Sequence, residues 1–378
     1  MIRSIVRHYI FSGQHGSEMS TLEDFCNRRI AQLREHMGTH GIDVVCLLNA
    51  GRTGGNMFKR LVNTSVGSAL VVPMGAEPTL ICSPMDARDA DDSTVAVHDR
   101  GSASPDQAVI DFVNNCLGTG KKIGCNPAGL TYSRYQLYNE GFKAEVVDIQ
   151  PTILPEVLFG PYPEELKYQR KASELADIGA QAVHDNLKPG INECELAAEA
   201  VYAMRKAGAE GISFCIVNSG PDSAHVHGAP SDRVVVDGDL VLIDLGPVKH
   251  GYMADISRTF LVGSDPKKQR MLEAMDKSVQ AVLDAIKPGE SCKELDALSR
   301  RVLIDHGYED YPHSLGHPVS GFVKPSLSKR SNDVERVGYV HTVEPGIYIP
   351  GLGGVRFEEN VYVTEDGCES LFKSPRRW

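Results

Sequence analysis

Four acids and one histidine in the second half of the chain are spaced for metal chemistry. Asp244 closes the apolar run Leu240-Val241-Leu242-Ile243 and is followed by Leu245, a poor setting for a surface acid. Asp255 lies on the returning segment Tyr252–Val262, beyond a turn expected at Pro247–Gly251. The midpoint between the two aspartates falls between Lys249 and His250, so they are expected directly opposite one another on antiparallel strands, where side chains approach closely. Glu344 and Glu358 repeat the arrangement about Gly351, inside Pro350-Gly351-Leu352-Gly353-Gly354. Like charges facing each other on strands repel unless something positive lies between them. The carboxylates therefore call for multivalent cations. His317, the second histidine of His313-Ser314-Leu315-Gly316-His317, is the fifth candidate ligand. Oxygen-rich ligation with one imidazole suits manganese, cobalt, iron or zinc.

The elements that must position these residues come from an internal repeat. Gln181-Ala-Val-His-Asp-Asn-Leu-Lys-Pro-Gly190 returns as Gln280-Ala-Val-Leu-Asp-Ala-Ile-Lys-Pro-Gly289. Glu195-Leu196 then matches Glu294-Leu295, Gly208 matches Gly307, and Gly238–Gly246 aligns with Gly338–Gly346, which places Asp244 over Glu344. Each half reads as helix, Pro-Gly turn, helix and β-hairpin. A twofold repeat of this length predicts two halves packed face to face, with one carboxylate pair from each.

Upstream, residues 20–150 alternate helical and strand patterns and predict a smaller α/β domain. A helix is expected near 21–39, strands at 44–48, 69–73, 79–82, 122–125 and 144–149, and further helices near 106–117 and 131–140. Gly51-Arg52-Thr53-Gly54-Gly55 follows a strand but lacks dinucleotide-binding spacing and reads as a loop. Prolines 151, 155, 161 and 163 mark a linker, with a long helix expected from about Pro163 to Leu187. The expected boundaries are a candidate extension at 1–18, an N-terminal domain at 19–155 and a catalytic domain at 156–378.

A formal net charge of −11 argues against nucleic acid or an anionic membrane as a main partner. No apolar run approaches the length of a membrane span, and residues 1–11 lack the apolar core and cleavage site of a signal peptide. The 9 cysteines form no CxxC pair and mostly sit in apolar stretches, as reduced thiols do in a cytoplasmic protein.

Taken together, Asn218–His227, Asp244…Asp255-Ile-Ser-Arg-Thr259, His313–His317, Val343-Glu344-Pro-Gly-Ile-Tyr348 and Gly354-Val-Arg-Phe-Glu358 resemble the signature segments of the creatinase, Xaa-Pro aminopeptidase, prolidase and methionine aminopeptidase family. The resemblance covers residues 20–378 and is nearest the proline-specific branch. It implies a C-terminal pita-bread α+β domain with a pseudo-twofold repeat, a smaller creatinase-like N-terminal α/β domain, and a homodimer. It also implies two divalent ions per chain, manganese first. Asp244 would chelate one ion, Asp255 and Glu358 would bridge, and His317 and Glu344 would bind the other. The implied reaction is hydrolysis of the peptide bond before proline by a hydroxide held between the ions, in an aminopeptidase or dipeptidase. Glu344 would carry the proton to the leaving nitrogen. His227 matches the histidine near the leaving-group or carbonyl side, and His313 the histidine that contacts substrate. Arg356, one pleat from Glu358, is expected to orient the carboxylates, as is Thr259. His225 reads as a loop residue.

One position departs from the pattern. Family peptidases carry a histidine a few residues after the metal-binding one, where this chain has Lys324, and Pro318 and Ser320 replace glycines. A lysine there can donate to an oxyanion or a substrate carboxylate but does not readily accept a proton. It points to an alternative in which the same cage acts on a small amide, a compatible solute or a sulfonium compound.

Overall fold

The computed structural model describes residues 13–49 and 55–378. Most of the extension expected at 1–18, and nearly all of the loop at Gly51–Gly55, lie outside the described residues. Helix α1 spans Gly13–His40. It starts earlier than the expected position near 21 because Gly13–Met19 contains no proline to stop propagation toward the N-terminus. The chain divides into two compact units at Val157/Leu158.

The first unit is built on a mixed sheet of β1 (Val44–Leu48), β2 (Ala69–Pro73), β3 (Thr79–Cys82), β4 (Ala96–Asp99), β5 (Lys122–Cys125) and β6 (Glu145–Asp148), in the order β4-β3-β2-β1-β5-β6. The unbroken apolar run of β1 suits a strand buried on both faces, between antiparallel β2 and parallel β5. Helices α2 (Gly55–Val62), α4 (Pro105–Leu117) and α5 (Tyr132–Gly141) and the single turns α3 (Asp86–Asp89) and α6 (Leu154–Val157) complete it. Ser104 and Thr131 cap α4 and α5.

In the second unit the repeat is visible in the backbone. Helix α7 (Leu166–Asn186) leads to α8 (Glu193–Lys206), and α9 (Pro266–Ala285) leads to α10 (Cys292–Asp305). Asn192 caps α8 and Ser291 caps α10, each accepting from a glutamate N–H three residues on. The Pro-Gly turns are tied alike, Gly190 N–H to the Val235 carbonyl and Gly289 N–H to that of Glu335. The first half places β7 (Gly211–Ser219), β8 (Leu240–Lys249), β9 (Tyr252–Met253) and β10 (Ile256–Leu261) in one sheet with β8 central. The second half gives β11 (Val340–Val343), β12 (Gly346–Ile349), β13 (Gly353–Arg356), β14 (Glu359–Val363) and β15 (Cys368–Ser370). Met271, Met275 and Val279 of α9 and Leu295 and Leu303 of α10 bury their side chains with Val343, Ile347, Val355 and Phe357 of that half. Such close-packed apolar contact holds the hairpin rigidly.

The register of the first hairpin corrects the expectation that Asp244 and Asp255 face each other. Asp244 pairs with Ser257, and Val248 with Met253. The turn is the two residues His250 and Gly251, at φ 51° and 74°. Positive φ at both positions is the mark of a type I′ turn, whose twist matches the flanking strands. Strand β8 therefore continues through Pro247, which sits beside the irregularity between Ile212 and Cys215 of β7, where a missing N–H costs least. The slip from the expected register is even, so Asp255 stays on the face of Asp244 but lies diagonal to it. In the second hairpin Gly346 pairs with Arg356 and Val343 with Glu359, which sets Glu344 against Glu358 where both strands are interrupted.

Candidate metal centre

Burial decides the character of the acids. Asp244, Asp255 and Glu358 are 8%, 6% and 1% exposed. Their elements meet through the backbone, since Glu358 N–H donates to the Ser257 carbonyl at 3.0 Å and Asp255 N–H to Asn360 Oδ1 at 3.0 Å. Asn360 Nδ2 returns a hydrogen bond to the Asp255 carbonyl at 2.9 Å. Strands from the two halves are thereby locked with their acids on one side.

Arg356 organises the first half of the cluster. Its Nη2 donates to Asp244 Oδ2 at 2.7 Å, its Nε to Ser257 Oγ at 2.7 Å and its Nη1 to Tyr348 Oη at 3.0 Å. Ser257 O–H passes the contact on to Glu358 Oε2 at 2.9 Å. Thr259 Oγ1 accepts from Arg356 N–H and donates to its carbonyl, both at 3.1 Å, which fixes the stem of the guanidinium. One buried cation thus sets the direction of two carboxylates. Arg356→Gln is expected to weaken Mn2+ binding by roughly 10–100-fold, the usual effect of removing a group that orients a ligand. Calorimetric titration of the metal-free protein measures this, and affinity within twofold of wild type would remove Arg356 from that role.

His317 and Glu344 form the other side. His317 Nε2 lies 3.2 Å from Glu344 Oε1 and 3.7 Å from Asp255 Oδ2, while Nδ1 faces the Pro318 carbonyl at 3.1 Å. Nε2 is therefore the nitrogen presented to the acids. Thr342 Oγ1 accepts from His317 N–H at 3.0 Å and donates to Glu344 Oε1 at 3.2 Å. Gly316 admits this approach, because a Cβ there would collide with the Thr342 carbonyl.

The charges are mutually destabilising without a cation. Burial, then Glu358 and Asp244, push the Asp255 carboxyl well above the ordinary range. Burial, Glu344 and Asp244 do the same to Glu358, and burial raises Asp244 despite Arg356. Burial would depress His317, but Glu344 and Asp255 outweigh it and raise the imidazole to about 9. Asp244 Oδ1 and Glu358 Oε1 are buried without a hydrogen-bond partner. Buried acceptors left unpaired are costly, and a cation satisfies them. Among the described residues, ligand atoms of Asp255, His317 and Glu358 lie within 4.8 Å of one another. The donor set fits a divalent ion.

The other expected site residues are distributed differently. His313 is part of the network, its Nε2 lying 2.9 Å from Tyr348 Oη and its Nδ1 2.8 Å from the Ser314 carbonyl. Burial holds its pKa low. His225 and His227 are exposed on the loop after β7, which Arg356 Nη1 tethers at the Val226 carbonyl between them, at 3.2 Å. Lys324 points its ammonium at Asp333, whose other oxygen accepts from Ser326 N–H at 2.9 Å. Its charge is engaged within the loop.

Sequence reading passed over Tyr348, Ser257, Thr342 and Asn360 as individual contributors. Tyr348 and Ser257 lie inside the motif segments, but nothing in their spacing reveals a shared guanidinium. Thr342 and Asn360 carry one weak signal, a polar residue two positions from a candidate ligand on the same strand face.

Residues 167–365 match metallopeptidase family M24, and residues 29–155 match the creatinase/prolidase N-terminal domain. A Xaa-Pro dipeptidase from Pyrococcus furiosus is 39% identical over 256 residues, covering 65% of this chain and 72% of that protein. The solved structure of a Xaa-Pro dipeptidase from Bacillus anthracis aligns with a TM-score of 0.82 at 31% identity, over 93% of this chain and 98% of the other. That of an X-Pro aminopeptidase from Thermotoga maritima gives 0.82 at 27% identity, over 92% and 98%. With two pseudo-twofold halves in a pita-bread fold that follows a creatinase-like N-terminal domain in the sequence, the chain is a metallopeptidase belonging to family M24.

Proposed function

We propose that this enzyme is a Xaa-Pro peptidase, cleaving the bond before proline in dipeptides or at the amino end of longer peptides. The observation that carries the reading is the cluster of Asp244, Asp255, His317, Glu344 and Glu358, whose first, second and last acids are buried and in which two carboxylate oxygens lack partners. The similarity to proteins named for cleavage at Xaa-Pro supplies the substrate class. In this reading Asp244, Asp255, His317, Glu344 and Glu358 would together hold the divalent ions. Manganese is the first candidate, with cobalt, iron and zinc compatible with the donors. Two such ions, when bound, lower the pKa of water to the neutral range and polarise the scissile carbonyl.

The protein's own groups do the rest. Glu344, held ionised by His317 even though burial opposes it, takes a proton and delivers it to the proline nitrogen, which leaves as a secondary amine. Arg356 opposes the rise that burial imposes on the Asp244 pKa and aims its carboxylate at the centre. In this reading His227, on the tethered loop, serves the leaving-group or carbonyl side of the substrate, and His313 meets the substrate beside Tyr348. A cavity of about 290 Å3 beside the segment that carries His313 is lined by Tyr308, Tyr311, Ile347 and Tyr348 together with Glu309 and Asp310, and offers aromatic and acidic walls to a substrate.

A cytoplasmic site of action agrees with cysteines that are all free and largely buried, and no helix among the described residues is long and apolar enough to cross a membrane. The homodimer rests on the family resemblance. The deciding experiment loads the enzyme with Mn2+ or Co2+ and offers Xaa-Pro dipeptides, longer Xaa-Pro peptides and matched Xaa-Ala controls. Cleavage before proline and not before alanine is expected by mass spectrometry. No turnover by folded, metal-loaded enzyme would overturn the assignment.

A further inference from the structure

Arg300 of α10 was not singled out by its sequence context, yet it is 7% exposed and makes a dense set of contacts. Its Nε and Nη2 donate to the two oxygens of Asp296, at 2.7 and 2.9 Å, one helical turn away. Nη1 donates to the Tyr311 carbonyl at 2.8 Å and Nη2 to the His313 carbonyl at 2.6 Å. Nη1 also pairs with Asp310, which takes Lys329 as a second partner. The guanidinium carbon lies 3.9 Å from the centre of the Tyr311 ring. Asp296 is fully buried, and its Oδ1 accepts Leu315 N–H at 3.1 Å. The Leu315 carbonyl in turn accepts Glu344 N–H at 2.8 Å.

We infer that Arg300, held by Asp296, is a positioning residue for the reaction, fixing the segment from Tyr311 to Leu315 that carries His313 and anchors Glu344. The inference rests on the reading of His313 and Glu344 given above. The path from Arg300 to the centre is continuous. The Tyr311 ring lies 4.9 Å from that of His313, which meets Tyr348 edge-on at 5.6 Å, and Tyr348 accepts from Arg356. Because the His313 Nδ1 faces a carbonyl, it carries the ring proton, and Nε2 accepts from Tyr348 O–H. Moving the segment would disturb that hydrogen bond and the cavity wall formed by Tyr311 and Tyr348. Only a guanidinium satisfies a bidentate carboxylate and two carbonyls together; a lysine presents a compact ammonium with no planar fork.

The test compares wild type with Arg300→Lys in the full-length protein. Metal-loaded enzyme is assayed on Xaa-Pro dipeptides, metal-free protein is titrated with Mn2+, and the histidine rings are followed by 15N NMR, with His313 assigned by its loss in His313→Gln. The expected result is a fall in kcat/KM at saturating Mn2+ of about 30–100-fold, the scale of a misplacement near one ångström, with the His313 Nδ1–H pattern lost and Mn2+ affinity lowered by less than the roughly 10–100-fold expected for Arg356→Gln. Unchanged kcat/KM with an unchanged His313 signal would overturn the inference. So would activity lost only in proportion to the unfolded fraction. If Arg300→Lys does not fold, Asp296→Asn, which keeps an acceptor for Leu315 but not the charge, is held to the same result. The NMR arm needs no substrate, so it decides on Arg300 even if wild type fails to cleave Xaa-Pro peptides.

Discussion

Asp255→Asn is expected to lower turnover of Xaa-Pro dipeptides by at least roughly 10³-fold, because the several kcal/mol of charge stabilisation that bound metal supplies to a transition state depends on this side chain. Asp255 is enclosed by other site groups. It faces His317 at 3.7 Å, and Glu358, Asp244 and Glu344 all raise its pKa. Asparagine keeps the shape and one acceptor but removes the negative charge and the second oxygen that the proposed site requires of Asp255. The fold should survive the change. The variant relieves repulsion among buried carboxylates, and the Asp255 backbone bonds to Asn360 do not involve the altered carboxylate. The metal-free variant should therefore be at least as stable as metal-free wild type. The decisive measurement pairs steady-state kinetics at saturating Mn2+ with metal analysis of the recovered protein. Retention of both ions and more than a tenth of wild-type kcat would remove Asp255 from the centre.

What the sequence disclosed, and what it withheld, follows from the range over which each interaction acts. Asp244 was legible as a buried acid because Leu240–Ile243 precede it on the same strand, and burial of a strand is a local pattern. The pairing of Glu344 with Glu358 was also legible, since the loop between them is short and glycine-rich. The Asp244–Asp255 register was not, because it turns on His250 adopting the left-handed conformation beside Gly251, which a non-glycine residue adopts only uncommonly. The shift was even, so the chemical reading survived the geometric error. Arg356 was assigned a supporting role from its position, but its reach to Ser257 and Asp244 joins residues about a hundred positions apart. Pattern and propensity carry no information at that separation. Lys324 illustrates the reverse case: a charge that read as a substitute for a catalytic histidine has an acid partner nine residues downstream.

The second large effect is on stability, and its sign is unusual for carboxylates. In the metal-free chain Asp255 and Glu358 have folded-state pKa values well above those of unfolded chains, because burial and neighbouring acids disfavour their charged forms. Above about pH 4, where unfolded carboxyls have ionised, the folded state retains protons that the unfolded state has released. Stability contributed this way is complete below the unfolded value and is lost as pH rises, by about 1.4 kcal/mol per pH unit for each retained proton. His317 acts in the same direction between its ordinary value and about 9, screened in part because its ring is 45% exposed. Glu344, whose pKa is lowered, acts oppositely but only on acidification below the ordinary carboxyl range. Metal-free protein is therefore expected to lose Tm steadily from pH 5 to 8. Divalent ions displace these protons, so affinity rises over the same interval and the loaded protein escapes the loss. Calorimetry of EDTA-treated and Mn2+-loaded samples at pH 5, 6, 7 and 8 reads the difference directly, and titrating groups elsewhere cancel between the two. A gap in Tm that stays constant or narrows with rising pH would mean that the acids are not what the ion neutralises. A widening gap ties the stability of the fold to the same five residues that are proposed to perform the chemistry.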